Sequence, residues 1–548
     1  MSSEPTATAT GEAQGEAMPP PANRGRAVAR NTAIFSIATG LSRIAGLVRE
    51  IVASSYFATS GAFSAFTIAF QFPNVVRSLF ADAALSAAFV PVFTELLEQG
   101  KRKDAFRLAS TLFFLILAVL GVITALFIVG AGTVMPLFTG HTFDQQLDQL
   151  TVGLSRVLFP VVVLLALNGL VVGMLNAYDH FSIPAISPLV WNVVIIACLV
   201  VSHQVLSGDE QLYGYAVGVV AGTAVQFAMA FPQLRRLGFR LEVNLDFRDE
   251  RVRQVLRLML PVTIGLGLIN FNLLINSTLG SLVSEQAARA IDAAFRIYML
   301  PQGMFSVAIA TVLFPALSRL AARKDLDGLR GLTANGMRQI FLLLVPAAAS
   351  TLALSTPITR LIYEHGAFGP SSTEIVSSAL FWFSFSLPFS GVNLLLTRTF
   401  FSLQRPWITT GIAGLNLAVN LVVSVALYKP FGIPGIVIGT AASSAAMTLA
   451  QVHFLRRELH GRLEGRETLV AVAKMVAAAA LLAAVSYGAW RLLDAWLGRG
   501  LPGQTIAVGV ALIAGGVVYA LTVRLLGIPE ARQIEALLAG RLFRRGER

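Results

Sequence analysis

The sequence predicts an all-α integral membrane protein with about fourteen transmembrane helices, arranged as two parallel six-helix lobes plus two C-terminal helices. Its composition, its recurring apolar segments and the placement of its basic residues lead to this fold class. Of the 548 residues, 55% are hydrophobic and 13% are charged. A soluble domain carries about 25% charged residues, so this composition is typical of a membrane protein.

Apolar segments of about 20 residues recur along nearly the whole chain, and each is long enough to cross a hydrocarbon core of about 30 Å. The residues before the first segment are rich in Ala, Pro, Thr, Gly and Glu, which predicts a disordered cytoplasmic tail over residues 1–30. The predicted spans are 31–58, 63–90, 107–131, 151–175, 184–203, 212–232, 254–281, 292–317, 339–356, 374–397, 408–428, 432–454, 468–490 and 504–526.

The basic residues follow the alternation that fourteen spans require. Thirty-one of the 42 Lys and Arg fall in the amino-terminal tail or in every second connection and its flanks, whereas five fall on the opposite side. Cytoplasmic loops carry the excess of Lys and Arg, so both termini are predicted to be cytoplasmic. The net charge of +12 has the same explanation and does not indicate nucleic-acid binding. The five residues assigned to the opposite side are Arg289, Arg360, Lys429, Arg491 and Arg499.

Matching positions about 222 residues apart indicate two related halves. At an offset of 221, Gly214 corresponds to Gly435 and Gly218 corresponds to Gly439. The alternative explanation is the composition that membrane helices share. A repeat of six spans predicts parallel lobes with a site between them near the midplane, as in alternating-access transporters. The predicted domains are a lobe over 31–236, a lobe over 237–457, two extra helices over 458–530 and a basic cytoplasmic tail over 531–548.

Arginines inside the predicted spans indicate a functional site. A centred Arg costs roughly 2.5–3.5 kcal/mol on insertion scales, so it persists where it faces a cavity, a partner or a substrate. The alternative to a functional site is that each arginine forms an internal ion pair, for which Glu50, Asp82 and Asp292 are available. Because carboxylates are few in the spans, we predict a positive cavity for an anionic substrate, and guanidinium forks suit phosphate. The candidate substrate-binding residues are Arg43, Arg49, Arg77 and Arg296.

The sequence does not indicate an enzyme. Its one cysteine, Cys198, lies in an apolar span, and its six histidines are scattered without ligand spacing. We find no P-loop, no dinucleotide-binding glycine pattern and no nucleophile elbow. We therefore expect a transporter without catalytic residues, without a metal site and without a cofactor.

Four segments of the sequence are distinctive. They read LSRIAGLVREIVASSYF, FTIAFQFPNVVRSLFADAALSAAFVPVF, RIYMLPQGMFSVAIATVLFPALS and LIYEHGAF. Together they resemble the MurJ/MviN family of lipid II flippases, within the multidrug/oligosaccharidyl-lipid/polysaccharide exporter superfamily. The resemblance runs from about residue 31 to residue 457 and continues more weakly beyond. It implies two six-helix lobes, two extra helices that offer a groove for a long lipid tail, and substrate-binding roles for the four arginines named above.

The chain departs from the family pattern at positions that bear on ion coupling. Family members often have an Asp where this chain has Ser64, and an acidic residue where it has Met299. Some members bind a cation through carboxylates and amides of the helices that correspond to predicted spans seven and eleven. In this chain those two spans offer only amides, which argues against a sodium site. The alternative role of the amides is to form hydrogen bonds between helices. The candidate cation site is Asn270, Asn416 and Asn420. The candidate polar support for the arginines is Glu50, Ser64, Asp82 and Asp292.

The resemblance implies a flippase that moves lipid II, a peptidoglycan precursor, from the inner to the outer leaflet of the bacterial cytoplasmic membrane by alternating access. The alternative is an exporter of another undecaprenyl-pyrophosphate-linked glycan or of another substrate of the superfamily. Cationic drugs fit less well, because a basic cavity repels cations. The expected partners are lipid II or a similar anionic polyprenyl-pyrophosphate lipid, membrane lipids and cell-wall synthesis proteins.

Overall fold

A computed structural model describes residues 21–80, 82–178, 180–244, 246, 248–461 and 463–532; the side chains of 21–37, 77–87, 261, 262, 266 and 269 are outside this description. All of the secondary structure in these residues is helical. The first ten helices are α1 (Pro21–Phe57), α2 (Gly61–Phe80), α3 (Asp82–Glu98), α4 (Arg102–Val134), α5 (Gln145–Leu158), α6 (Val161–Ala177), α7 (Ser182–Val205), α8 (Glu210–Ala228), α9 (Phe231–Arg236) and α10 (Glu250–Ser281). The others are α11 (Ala287–Ala322), α12 (Leu326–Ala353), α13 (Ser355–Tyr363), α14 (Pro370–Ser384), α15 (Leu387–Ser402), α16 (Pro406–Phe431), α17 (Ile433–Glu458), α18 (Gly465–Leu497) and α19 (Leu501–Leu525).

Helix α1 begins ten residues before the predicted first span. Pro21 is its first residue, a position where proline loses no hydrogen bond because the first N–H groups of a helix have no partner. Residues 21–30 of the predicted disordered tail are therefore helical. Residues 1–20 and 533–548, which make up the rest of the two predicted tails, lie outside the described residues.

Eleven helical segments of the described chain are long and apolar enough to cross a membrane, or twelve if the bent pair of α14 and α15 is one span. These twelve correspond to predicted spans three to fourteen. Predicted span one falls on α1, and span two falls on α2 and α3. The chain is thus a multi-pass membrane protein, and the count of fourteen stays a prediction.

The span formed by α14 and α15 bends by 51°. Pro388 is the second residue of α15. Proline has no N–H to donate to the preceding turn, and its ring disfavours helical geometry in the residue before it. One predicted apolar run therefore becomes two helices.

The buried apolar side chains divide along the chain. The clusters formed mainly by α1–α8 include Val252 and Val255 from the start of α10 and Ala288 from α11. A larger cluster runs from Leu279 at the end of α10 to Ile528 after α19. The amino-terminal and carboxyl-terminal helices therefore form separate cores that meet at α10 and α11, which is compatible with two lobes.

The paired glycines of the predicted repeat have the same local role. A Cβ atom at Gly218 would lie 2.7 Å from the Cβ of Cys198 in α7. A Cβ atom at Gly439 would lie 2.0 Å from the Oγ of Ser424 in α16. Helices α8 and α17 thus each pack against the helix before them at a distance that only glycine permits.

The two C-terminal helices are anchored to α12. Arg338 on α12 pairs with Glu464, just before α18, at 2.7 Å, and also with Glu530, just after α19. The Tyr519 hydroxyl of α19 donates to the Leu342 carbonyl of α12 at 3.0 Å. Both ends of the α18–α19 pair are therefore tied to one helix of the carboxyl-terminal group.

Candidate functional site

Five charged side chains of α1 and α11 form one buried group, which we call the α1–α11 cluster. It consists of Arg49, Glu50, Arg289, Asp292 and Arg296. Arg49 and Glu50 are consecutive near the carboxyl-terminal end of α1. The other three follow one another at spacings of three and four, which places them on one face of α11.

Arg289 is the centre of the cluster. Its Nη1 donates to Asp292 Oδ2 at 2.8 Å, and its Nη2 lies 3.3 Å from Glu50 Oε2 and 2.8 Å from the Oγ of Ser54. Its guanidinium carbon lies 4.1 Å from the centre of the Phe63 ring. Arg289 is only 1% exposed, so this residue of α11 is enclosed by side chains of α1 and α2.

The other two arginines share the same carboxylates. Arg296 Nε lies 2.8 Å from Asp292 Oδ2 and 3.1 Å from Glu50 Oε2. Arg49 Nη2 donates to Glu50 Oε1 at 2.9 Å, and its guanidinium lies 4.7 Å from the centre of the Trp191 ring. The Arg296 side chain is 31% exposed, whereas that of Arg49 is 9% exposed. Arg296 is therefore the most accessible arginine of the cluster.

The cluster has an excess of positive charge. Its three guanidinium groups face two carboxylates, so its formal charge is +1. Buried ions are costly unless they are paired, and within a membrane an unpaired charge marks a functional position. The arrangement can bind an anion through the charge that its own carboxylates leave uncompensated.

A narrow gap borders the cluster. Its volume of about 10 Å³ admits on the order of one water molecule. Its lining includes Gln71, Tyr215 and Arg296. A phosphate group does not fit the gap in this conformation, so a substrate that uses it requires the lining helices α1, α2, α8 and α11 to separate.

The structure describes two further members of the predicted site. Arg43 is exposed on α1, and a Cβ atom at Gly303 of α11 would lie 3.1 Å from its Nη1. Ser64 is fully buried on α2, and its hydroxyl accepts the backbone N–H of Arg289 at 3.2 Å. The side chains of Arg77 and Asp82 lie outside the described residues. α1 and α11 thus approach each other both at Arg43 and at the cluster.

The predicted spans place Arg289 in the connection before span eight, whereas the structure places it inside a helix. Its side of the membrane stays a prediction. Helix α11 begins at Ala287, five residues before the predicted span, and Arg289 lies in its first turn. The small residues of the sequence AARAIDAAF continue the helix through this polar start. The signal that could have identified Arg289 was its spacing from Asp292 and Arg296, which puts all three on one helical face.

The candidate cation site is a network of amide hydrogen bonds between α10, α16 and α17. Asn272 donates to Asn416 at 2.6 Å, and Asn420 donates to Asn272 at 3.0 Å and to Asn276 at 3.1 Å. Asn276 in turn donates to Thr440 on α17 at 3.0 Å. These contacts join Asn416 and Asn420 to residues 272 and 276. Asn270, two residues before Asn272 on α10, is half-buried. The described residues contain no group of His, Cys, Asp or Glu that could hold a metal ion.

A second set of contacts joins the carboxyl-terminal end of α1 to the loop between α13 and α14 and to the first turn of α14. The backbone N–H of Ala367 donates to the Ser55 carbonyl at 2.8 Å. The hydroxyls of Thr59 and Ser372 lie 2.8 Å apart and are buried. Gly366 has φ +61°, and a Cβ there would lie 2.4 Å from the Ser55 oxygen. The loop that contains the end of the LIYEHGAF segment therefore contacts α1 directly.

The fold is similar to that of solved transporters. A lipid II flippase MurJ in an inward closed conformation superposes with a TM-score of 0.74 at 21% identity, covering 90% of this chain and 99% of that chain. An inward-facing multidrug resistance transporter of the MATE family gives a TM-score of 0.64 at 13% identity, covering 76% of this chain and 94% of that one. At these identities the likeness concerns the fold alone.

The sequence comparisons identify the family. The family model of lipid II flippase MurJ matches residues 53–508. A probable lipid II flippase MurJ of Rhizobium meliloti (strain 1021) is 31% identical over 457 residues, which are 81% of this chain and 84% of that protein. Another, from Vibrio cholerae, is 27% identical over 511 residues, 90% of this chain and 95% of that protein. By these matches the chain belongs to the MurJ lipid II flippase family.

Proposed function

We propose that this chain is a lipid II flippase, which carries its substrate from the inner to the outer leaflet of the bacterial cytoplasmic membrane by alternating access. The observation that carries the proposal is the positively charged α1–α11 cluster at the junction of the two helix groups, in a chain of the MurJ family. A transporter needs no catalytic group, and the cluster's chemistry is that of anion binding.

The substrate-binding residues in this proposal are Arg43, Arg49, Arg77 and Arg296. The head group of lipid II is linked to its lipid through a pyrophosphate, which guanidinium groups bind through paired hydrogen bonds. Arg43 is exposed and close to α11, and Arg296 keeps part of its surface accessible. These features support a path for the anion between α1 and α11, with Glu50, Ser64, Asp82 and Asp292 as the polar residues that support the arginines.

The contacts between the two helix groups support a conformation closed to the outside. In the proposed orientation, with both termini cytoplasmic, the carboxyl-terminal end of α1 faces outward. There the Ala367–Ser55 and Thr59–Ser372 contacts join the two groups at 2.8 Å each. The gap at the cluster holds on the order of one water molecule. Release of the substrate to the outer leaflet then requires these contacts to open.

The domain organisation belongs to the same proposal. The two lobes span 31–236 and 237–457, and the helices in 458–530 carry a groove for the lipid tail. Anchoring of α18 and α19 to α12 through Arg338 supports a groove that moves together with the carboxyl-terminal lobe. Cell-wall synthesis proteins are the proposed protein partners.

Complementation of cells depleted of their own lipid II flippase tests the function. The wild-type chain should restore growth, whereas replacement of Arg43, Arg49, Arg77 or Arg296 by Ala should abolish rescue at normal membrane levels. Arg156→Ala is the matched control, since Arg156 lies within a predicted span but donates from Nε to the Ile128 carbonyl at 3.1 Å, away from the cluster. Growth of all four Ala variants would contradict the assignment of the site, and failure of the wild-type chain would contradict the function.

A further inference from the structure

Arg289 has a different environment from the arginines proposed to bind substrate. It is 1% exposed and surrounded by two carboxylates, a hydroxyl and an aromatic ring. A side chain enclosed in this way does not contact a substrate in this conformation. Its contribution to a binding site must therefore act through the neighbouring charges.

The two carboxylates are divided between Arg289 and the other arginines. Asp292 Oδ2 lies 2.8 Å from both Arg289 Nη1 and Arg296 Nε, and Glu50 Oε2 lies 3.3 Å from Arg289 and 3.1 Å from Arg296. If Arg289 were uncharged, the same carboxylates would face only Arg49 and Arg296. The formal charge of the cluster would then fall from +1 to zero.

We infer that Arg289 is a positioning residue that keeps the α1–α11 cluster positive by engaging the carboxylates that would otherwise neutralise Arg296. Arg296 is the most accessible member of the cluster, with 31% of its side chain exposed. The uncompensated charge is therefore available to an anion at Arg296, while Arg289 remains buried. This inference rests on the proposed anion-binding role of the cluster and adds to it a residue that fixes the charge.

A purely structural role for Arg289 makes the opposite prediction for one double variant. Arg289→Gln lowers the cluster charge to zero, and Asp292→Asn raises it to +2. The double variant Arg289→Gln/Asp292→Asn returns the charge to +1 while it removes more ion pairs than either single change. If charge decides, the double variant recovers binding; if the ion pairs matter only for structure, it binds worse than Arg289→Gln.

Binding of undecaprenyl pyrophosphate to the full-length protein in lipid nanodiscs tests the inference, because this probe carries the anion without the sugar. We expect Arg289→Gln to weaken binding about tenfold or more, the usual size of one charge interaction near a partly hydrated site. The double variant should bind within about threefold of the wild type by the same reasoning. Asp292→Asn alone should bind at least as tightly as the wild type.

The expected order of binding affinities among these variants tests the role of Arg289 separately from the proposed function. A double variant that binds no better than Arg289→Gln would overturn the inference. If Arg289→Gln does not fold, weaker binding by Asp292→Asn alone would overturn it as well. Transport of lipid II is assayed separately in proteoliposomes. If the wild type does not transport lipid II but the variants bind the probe in the expected order, the proposed function is refuted and the role of Arg289 is still supported.

Discussion

In the proposed orientation, replacement of Gly366 by Ala should shift the protein from a state closed to the outside towards the open state. Gly366 has φ +61°, and a Cβ there would lie 2.4 Å from the Ser55 oxygen that accepts the N–H of Ala367 at 2.8 Å. The left-handed backbone costs an Ala side chain roughly 1–2 kcal/mol. This strain is present in both states if the loop keeps its conformation, so it lowers stability without changing their ratio.

In the proposed transport cycle, the contact with α1 is present only in the closed state. Loss of the Ala367–Ser55 hydrogen bond removes about 0.5–1.5 kcal/mol net from that state. Since about 1.4 kcal/mol corresponds to a tenfold change in an equilibrium constant, the ratio of open to closed protein should rise about two- to tenfold. The steric overlap of the new Cβ with the Ser55 carbonyl acts in the same direction.

Labelling of a cysteine at position 59 measures this shift. Thr59 is 2% exposed, so Thr59→Cys in a Cys198→Ser background should react with a membrane-impermeant maleimide, added outside, only when the contact opens. Gly369→Ala is the matched control, because Gly369 is in the same loop with φ −93° and a Cβ there would have no atom within 4 Å. Equal labelling rates in the Gly366→Ala and Gly369→Ala backgrounds would refute the reasoning.

Two further predictions concern orientation and anchoring. In the same cysteine-free background, Lys103→Cys should be labelled only from the cytoplasm and Gly208→Cys only from outside, because the charge bias puts their connections on opposite sides; labelling of both from one side would contradict the orientation. Arg338→Ala should lower the free energy of unfolding by about 3–5 kcal/mol, since it leaves the carboxylate of Glu530, 3% exposed, without its arginine. Thermal unfolding in detergent measures this change against the exposed control Arg319→Ala, and equal melting temperatures would contradict the anchoring role.

Much of the fold follows from local sequence properties. A span is a run of about 20 apolar residues, so it can be predicted without knowledge of its neighbours in the fold. Twelve of the predicted spans correspond to helices of the structure that are long and apolar enough to cross a membrane. Helix α1 differs because it contains Arg43, Arg49 and Glu50. The burial of Arg49 and Glu50 depends on contacts with α7 and α11. The apolar segment over 31–58 predicts this helix as a span, and the alternation of basic residues supports that prediction.

The site is only partly accessible to sequence reasoning. The sequence predicts Glu50 and Asp292 as partners for the arginines, and both pair with arginines in the structure. The meeting of Glu50 with Arg289, 239 residues away in the chain, depends on how α11 packs on α1. No local pattern encodes that packing, although the shared helical face of Arg289, Asp292 and Arg296 is visible in the sequence.

Helical periodicity also explains the outcome for the asparagines. Asn272 and Asn276 are four residues apart on α10, as Asn416 and Asn420 are on α16, so each pair occupies one face and the two faces can meet. Asn270 is two residues from Asn272, which places it about 200° around the helix. The 3.6-residue period therefore favours positions 272 and 276 as the partners of the α16 pair.

The amide network bears on the energy source of the proposed transport. Its hydrogen bonds join neutral groups to one another at 2.6–3.1 Å, and a sodium ion prefers sites that include a carboxylate. The pyrophosphate of lipid II carries roughly two negative charges, and each gains about 2.3 kcal/mol per 100 mV on leaving a negative cytoplasm. Two charges supply on the order of 4–5 kcal/mol, a concentration bias of more than roughly a thousandfold, without a coupling cation.

We therefore expect membrane potential, rather than sodium, to drive outward movement of lipid II. In proteoliposomes whose potential is clamped with valinomycin and potassium, collapse of the potential should stop transport, whereas exchange of sodium for choline at constant potential should leave the rate unchanged. The control variant Asn420→Asp introduces a carboxylate into the network and should make the rate depend on sodium if the neutral amides are the reason for its independence. A strict sodium requirement of the wild-type protein would refute this account, because the network would then have to exchange its internal hydrogen bonds for an ion during each cycle.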